Sequence, residues 1–328
     1  MNTRRLSILI SCALTGGISS ALGQSQKPGP SSEYNAAYLF AAGPLNSVSE
    51  LVVFPVDRAA FSIALPLPTT FLDFASAGRV LYAVVKDTGR DPGHLAPQLC
   101  RIEFNPARAT LLQASAGLSH IMSFAVDEHG KKVVACGGRP HPVDLGGGLF
   151  EIDLVGGTIR KVIANPACMG PYLTSADSES AWSDLSLSPD GHRAAAIRLR
   201  SLEVLDLVNG TARVIASGYR RAAWSPDGKW IAAMENGGRY RTVLFDADTL
   251  TKRRNLGVTQ LHWSPDSRYL LGGRESMNCD TMQAVDVENG KRITIEGSKC
   301  KVYGTPVGWV NNDVKPEGDR AIPKLNKN

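Results

Sequence analysis

Short apolar runs separated by polar turns fill most of this 328-residue chain. One unit recurs: an apolar strand anchored by an aromatic residue or Leu, a polar turn, then a second apolar strand. It appears at Leu72-Asp73-Phe74 before 80–85, at Met122-Ser123-Phe124 before 133–136, and at Leu187 before 194–197. It recurs at Trp224 before 230–233, at Trp263 before 269–272, and as a truncated copy at Pro306-Val307-Gly308-Trp309-Val310. Three of the turns share their wording: Ser188-Pro189-Asp190-Gly191, Ser225-Pro226-Asp227-Gly228 and Ser264-Pro265-Asp266-Ser267.

A second unit follows the first. It is a hairpin with an acidic residue and a Gly- or Asn-containing turn, as in 151–158, Val204-Leu205-Asp206-Leu207-Val208-Asn209-Gly210-Thr211 and 284–291. Weaker copies lie at 244–248, 101–105 and 52–57. Asn-Gly and similar pairs tolerate the positive φ angles of tight primed turns, and the flanking alternation places every second side chain in a core. Two hairpins per repeat make a four-stranded antiparallel sheet, and radial repetition of such sheets is a β-propeller.

The expected fold is therefore all-β: a six-bladed β-propeller of four-stranded blades, with strands a to d running outward. The first hairpin has no inner strand before it and the last inner strand has no hairpin after it. The economical solution is closure, residues 36–66 giving strands b, c and d of one blade and residues 303–310 its strand a. Such closure removes an open sheet edge. The alternative of seven blades requires 166–182 to hide a blade, and its small and polar residues read as loop.

The Trp-Ser-Pro-Asp-Gly turns between strands a and b resemble the WD-repeat-like propeller repeat of the TolB family, which also recurs in prolyl-oligopeptidase-type enzymes. Residues 182–310 carry the resemblance through the motif, and 34–165 only through the strand pattern. It implies a propeller and transfers no catalytic residue. TolB proper has an α/β domain before its propeller, whereas about ten residues separate the expected cleavage site from the first expected strand here, and the Gly-x-Ser-x-Gly elbow of a hydrolase domain does not occur after residue 23, so a stand-alone propeller is the expectation. Asp190, Asp227 and Asp266 read as caps of their own turns. Trp224, Trp263 and Trp309, at one repeat position, read as core between blades. Asn209-Gly210-Thr211 matches a glycosylation sequon but is equally a hairpin turn.

Composition adds location. Arg4-Arg5, the apolar run 6–14 and Ala21-Leu22-Gly23 have the form of an export signal with cleavage after Gly23. Cys12 as a lipid-anchor site and an uncleaved anchor are the alternatives; Gly16, Gly17, Ser19 and Ser20 interrupt the run too early for a span. The expected organisation is signal peptide 1–23, linker 24–33, propeller 34–313 and flexible tail 314–328. The formal net charge of +5 includes Arg4 and Arg5, and the remainder is too diffuse for nucleic acid. Export permits disulfides among Cys100, Cys136, Cys168, Cys279 and Cys300. Cys136–Cys168 and Cys279–Cys300 each bracket one blade and are the favoured pairs, against the reading that all five are small buried hydrophobes. The spacing of the cysteines supports no zinc or redox motif.

Function rests on connectivity. In a propeller the a–b and c–d turns share one face, here all tight turns, while the b–c and d–a connections share the other. Long irregular segments at 86–98, 137–148 and 165–183 should crowd one sector of that second face, where a rigid scaffold presents binding loops. They carry Asp87, Arg90, Asp91, His94, Arg139, His141, Asp144, Tyr172, Asp177 and Glu179. The leading expectation is a non-catalytic exported module, monomeric and without cofactor, that binds a protein or glycan partner in the cell envelope. The alternatives are a propeller hydrolase or lactonase, with a channel metal drawn from His94, His141, Asp91 and Asp144, and a redox or sugar-oxidising propeller. No spacing matches a metal-ligand or nucleotide motif, so no metal residue is assigned.

Overall fold

The computed structural model describes residues 36–42, 50–54, 61–64, 69–77, 80–87, 98–104, 107–112, 117–118, 120–127, 129–138, 146–169, 180–237, 241–257, 261–273, 282–294 and 304–311. The expected signal peptide, linker and C-terminal tail lie outside the described residues.

Strands β1 (Ala36–Ala42), β2 (Glu50–Phe54) and β3 (Phe61–Ala64) open the chain. The second sheet contains β4 (Thr69–Ala77), β5 (Val80–Asp87), β6 (Gln98–Phe104) and β7 (Ala107–Leu111). The third contains β8 (His120–Val126), β9 (Lys132–Gly138), β10 (Gly147–Asp153) and β11 (Ile159–Ala164), and a 3-10 turn, Pro166–Met169, follows it. The fourth contains β12 (Ser183–Leu187), β13 (Arg193–Arg198), β14 (Ser201–Asp206) and β15 (Thr211–Ser217). The fifth contains β16 (Tyr219–Trp224), β17 (Trp230–Glu235), β18 (Thr242–Asp246) and β19 (Lys252–Leu256). The sixth contains β20 (His262–Trp263), β21 (Tyr269–Gly273), β22 (Met282–Asp286) and β23 (Arg292–Thr294). Strand β24 (Gly304–Asn311) returns to pair antiparallel with β1, Ala36 opposite Asn311 and Ala42 opposite Gly304, and so becomes the first strand of the sheet that β1–β3 continue.

Among the described residues the strands form six sheets, all antiparallel and four-stranded, each running outward from its first strand. The first strands meet in sequence: β24 touches β4, β4 touches β8, β8 touches β12, β12 touches β16, β16 touches β20, and β20 touches β24. The core lies between sheets. Val134, Cys136 and Leu149 of the third pack on Trp182, Ala194 and Leu205 of the fourth; Ala195, Ile197 and Val204 pack on Trp224, Ile231 and Phe245 of the fifth. The fifth packs in the same way on Trp263, Leu270 and Val285 of the sixth.

The second strand of each repeat, an apolar run in the sequence, is where burial is most complete. Residues 133–138, 194–197 and 231–234 are buried without a break. Each sheet packs against a neighbour on both faces, so a middle strand has no solvent side. Small residues such as Ala194, Ala195, Ala196, Ala232 and Ala233 allow both neighbours to approach. Polarity appears instead along the radius: outermost β15 and β19 are mostly exposed.

Five of the six first strands carry one extra residue against their partner, opposite β5, β9, β13, β17 and β1. A bulge bends its strand and frees backbone groups from the ladder. Hydrogen bonds also run from one first strand to the next. Leu185 N–H donates to Ser123 Oγ (3.2 Å), Trp224 N–H to Ser186 Oγ (2.8 Å), and Trp263 Nε1–H to the Ala223 carbonyl (3.1 Å). Ser123, Ser186 and Ala223 occupy the same position, one residue before the anchor of each repeat.

The Ser-Pro-Asp-Gly turns explain their own wording. In each, the Ser hydroxyl donates to the Asp carboxylate: Ser188 to Asp190 at 2.6 Å, Ser225 to Asp227 at 2.7 Å, Ser264 to Asp266 at 2.6 Å. The same hydroxyl accepts the N–H of the first residue of the next strand, Arg193, Trp230 or Tyr269, at 2.9 Å. Gly191 and Gly228 adopt φ of 68° and 78°. Ser267 holds φ 63° in the third copy, where its hydroxyl accepts Asp227 N–H of the adjacent turn (2.8 Å). Trp224 and Trp263 are 4% and 8% exposed, as core residues between sheets; Trp309 lies in β24 and its side chain is outside the described residues.

The second hairpins are not primed turns. Asp206, Leu207, Val208 and Asn209 keep negative φ and only Gly210 is positive, at 66°, closing on the Asp206 carbonyl. This is a type I turn with a left-handed last residue; Leu250 fills that place in the fifth sheet at φ 57°. The acidic residue accepts the turn's N–H groups: Val208 and Asn209 on Asp206, both at 2.9 Å, and Asp248 and Thr249 on Asp246. A two-residue turn with both residues at positive φ does occur, at Leu199 (50°) and Arg200 (57°) between β13 and β14, with neither Gly nor Asn. Left-handed backbone costs about 1–2 kcal/mol for such residues.

Two outcomes follow. Replacing Leu199→Asn with Arg200→Gly should raise the unfolding free energy by about 1–2 kcal/mol, read as a higher denaturant midpoint with unchanged slope. Asp153, Asp206 and Asp246 sit below the usual carboxylate range, through N–H donation by Gly156 and Val155, by the Asn209 backbone and amide, and by the Thr249 backbone and hydroxyl respectively. A lowered folded value contributes stability that is complete above the unfolded value of about 4 and is lost as pH falls through the folded one. Denaturant titrations should therefore show an acid limb below about pH 4, made smaller by Asp206→Asn.

Candidate functional site

Two rims face opposite ways. One carries the tight turns at 188–192, 225–229 and 264–268 and the second hairpins, whose carboxylates are engaged by their own backbones. The other carries the connections from β5 to β6, β9 to β10, β11 to β12 and β17 to β18.

In the third sheet the rim is built around His120, Cys136 and Cys168. Cys136 Sγ is bonded to Cys168 Sγ, one of the two pairs expected from the sequence, and ties β9 to the turn after β11. His120 is 8% exposed and its Nε2 meets the Cys168 carbonyl. Burial lowers its pKa, and that hydrogen bond opposes the shift. The ring lies against Gly138, where an added Cβ would fall 2.5 Å from His120 Cε1. Asn165 caps the turn by accepting Ala167 N–H (3.1 Å) and donates from Nδ2 to the Ser180 carbonyl (3.1 Å). Cys168 and Ser180, on either side of 170–179, are thus held by the disulfide and by the Asn165 side chain respectively.

Next along the rim, Glu203 of β14 is buried. It accepts Trp182 Nε1–H on Oε2 (2.8 Å) and two Arg198 nitrogens on Oε1 (2.8 and 2.9 Å), and the Arg198 guanidinium lies 5.5 Å from the Trp182 ring centroid. Burial of the carboxylate is matched by these partners. Asp184, in the bulge of β12, takes φ 49°. Burial pushes its carboxyl up, while Arg221, the Ser183 hydroxyl and Arg220 pull it down; Arg221 Nε stands 3.9 Å from Oδ1.

Between the fourth and fifth sheets the rim opens into a cleft of about 300 Å3, lined by Ser217, Gly218, Tyr219, Glu235, Asn236 and Arg241 among others. Its floor is hydrogen-bonded backbone: the Arg200 carbonyl accepts Gly218 and Tyr219 N–H (both 2.8 Å), and the Gly218 carbonyl accepts Asn236 N–H (2.6 Å). Tyr219 packs edge-on against Phe245, and burial, with Glu235, raises its hydroxyl pKa.

Of the residues expected to form the site, Asp87 is the last residue of β5, opposite Thr69, and so belongs to the sheet rather than to a loop. Gly137, Gly138, Gly147 and Gly148, read as loop, also pair within β9 and β10. Arg90, Asp91, His94, Arg139, His141, Asp144, Tyr172, Asp177 and Glu179 lie outside the described residues, as do Cys279 and Cys300. Sequence reasoning missed Trp182, Arg198, Leu199, Arg200, Glu203 and Arg241. Their one advance signal was the short link between two strong strands at Leu199-Arg200, with no residue suited to its geometry. Among the described residues no three His, Cys, Asp or Glu side chains converge as metal ligands.

No protein-family model matches the chain, and no curated protein does. Solved structures do. TolB from Acinetobacter baumannii aligns over 84% of this chain and 66% of its own, at 15% identity and TM-score 0.58. A chain of a nidogen/laminin complex aligns over 84% and 97%, at 13% identity and TM-score 0.57. A puromycin hydrolase aligns over 78% and 42%, at 15% identity and TM-score 0.51. These neighbours are propellers, and at such identities the likeness establishes the β-propeller fold. The chain spans just under two thirds of that TolB.

Because Cys136 and Cys168 are separated by 32 residues, opening the disulfide should cost about 4 kcal/mol. The Cys136→Ala/Cys168→Ala variant should unfold at correspondingly lower denaturant, and limited proteolysis should cut it first between residues 169 and 180.

Proposed function

We propose that this chain is an exported, non-catalytic six-bladed β-propeller, closed by β24 on β1, that binds a protein or glycan partner of the cell envelope through its loop rim. The sequential contacts of the first strands, ending with β20 on β24, support six blades in one ring. The Cys136–Cys168 bond fits an oxidising compartment outside the cytoplasm, in keeping with the signal-like residues 1–23. TolB and nidogen/laminin neighbours supply the analogy for a propeller as a binding module, and analogy of fold alone assigns no activity.

One observation carries the reading: the two rims divide labour. The turn rim uses its aspartates to satisfy backbone N–H groups, while the loop rim carries long connections on a base stapled by a disulfide. Loops on rigid scaffolds are where recognition concentrates. Asp87, Arg90, Asp91, His94, Arg139, His141, Asp144, Tyr172 and Asp177 are the proposed contact residues.

The test is in-cell crosslinking of the full chain in its native envelope, against a variant with 170–179 replaced by a short Gly-Ser linker. The expected result is a defined crosslinked partner whose yield falls at least about tenfold in a variant that keeps its denaturant midpoint. Undiminished crosslinking would overturn the assignment to this rim, and stoichiometric metal in the purified chain would move it to the hydrolase class.

A further inference from the structure

Two second hairpins carry the same dipeptide at the same place, Asn209-Gly210 in the fourth sheet and Asn289-Gly290 in the sixth. The binding reading above uses neither. The dipeptide is chemically reactive as well as turn-forming: with no side chain on glycine, its backbone nitrogen can approach the Asn side-chain carbonyl and attack it. Both turns restrain that nitrogen alike. Gly210 N–H donates to the Asp206 carbonyl (3.0 Å) and Gly290 N–H to the Asp286 carbonyl (2.8 Å), with φ of 66° and 74°. Both asparagines are exposed.

The electrophile is where they differ. Asn209 turns back into its own turn, its Nδ2 donating to Asp206 Oδ2 (2.8 Å). In the sixth sheet that place is taken, because Arg268 Nε–H donates to Asp286 Oδ2 at 3.3 Å. Asn289 points forward instead, and its Oδ1 accepts Lys291 N–H at 2.7 Å. That N–H polarises the side-chain carbonyl and stabilises the oxyanion that attack creates. The difference begins at one sequence position. The counterpart of Arg268 in the fourth sheet is His192: Leu207 N–H donates to the His192 carbonyl as Val287 N–H does to that of Arg268 (both 2.9 Å). The surroundings act in the same direction. A Cβ at Gly210 would fall 2.8 Å from the Val162 carbonyl oxygen of the third sheet. At Gly290 it would meet nothing within 4 Å among the described residues, so the 289–290 peptide has room to turn.

We propose that Asn289 is a site of spontaneous modification, deamidating through a cyclic imide with Gly290, while Asn209 in the matching turn is protected. Hydroxide removes the Gly290 amide proton, the nitrogen bonds to Asn289 Cγ, and the Cγ–Nδ2 bond breaks. The leaving group takes a proton from water, releasing ammonia and regenerating hydroxide. Water then opens the five-membered imide at either carbonyl, which leaves an aspartyl or an isoaspartyl residue. The isoaspartyl form adds a methylene group to the main chain. It does so inside a turn that Arg254 of β19 grips through the Val287 and Glu288 carbonyls. The modification therefore falls on the junction between the fifth and sixth sheets.

Peptide mapping by mass spectrometry tests this on the full chain aged in mildly alkaline buffer, with the peptide containing Asn209 as internal reference. In the folded chain, product at 289 should form about fivefold or more faster than at 209, the effect of one ordinary hydrogen bond on a barrier. In the chain denatured with guanidinium the two rates should converge, because the turns are gone. Arg268→His should slow product formation at 289 toward the rate at 209. A merely loosened sixth sheet would speed it instead, so damage to the fold cannot mimic the expected result. The proposal is overturned by no product at 289, or by equal or faster reaction at 209 in the folded chain. The same difference persisting in the denatured chain overturns it too, as does an unchanged or higher rate at 289 in Arg268→His.

Discussion

A sheet that is apolar on both faces cannot be satisfied by one neighbour. The runs 133–138, 194–197 and 231–234 are buried throughout, so the third, fourth and fifth sheets each need a packing partner on either side. An open row of such sheets would leave an apolar face exposed at each end. The bulged first strands, the hydrogen bonds from one first strand to the next, and the alanine-rich middle strands all serve that one requirement. Hydrophobic burial is therefore collective here: no sheet holds a core of its own.

How much of this is visible in the sequence depends on whether a position is governed locally. The Ser-Pro-Asp-Gly turns are legible because hydroxyl, carboxylate and glycine each answer a need arising within six residues. Ser267 and Leu250 break the pattern at φ-positive positions without breaking the fold, because the repeat around them sets the turn. The middle strands show their burial as apolar runs in the sequence, but nothing local says which neighbouring sheets cover their two faces.

The loop rim was legible only in outline. Long segments between strong strands point to one face, but strand pairing extends beyond their expected limits, to Asp87 on one strand and through Gly137, Gly138, Gly147 and Gly148 on two others. The Trp182–Glu203–Arg198 cluster joins residues from different strands, and no spacing rule brings a tryptophan before β12 to a carboxylate in β14. Leu199-Arg200 is the reverse case: a local sequence that argues against its own turn, held by N–H groups 18 and 19 residues away that donate to the Arg200 carbonyl. Such local disagreement is where function tends to sit.

The pairing of β24 with β1 has a consequence in time. During synthesis β1, β2 and β3 emerge first, yet the sheet they belong to lacks its innermost strand until residue 311 is released. Every other sheet is contiguous in sequence and can assemble as it appears. The first strands made thus belong to the last sheet completed, and they wait as an exposed three-stranded edge for most of the chain's production. Closing this one pairing of high sequence separation carries a loop-closure cost that the sheets contiguous in sequence do not. It makes the seam, rather than any turn or loop, the place where a chaperone acting during translation or translocation would have the most to protect.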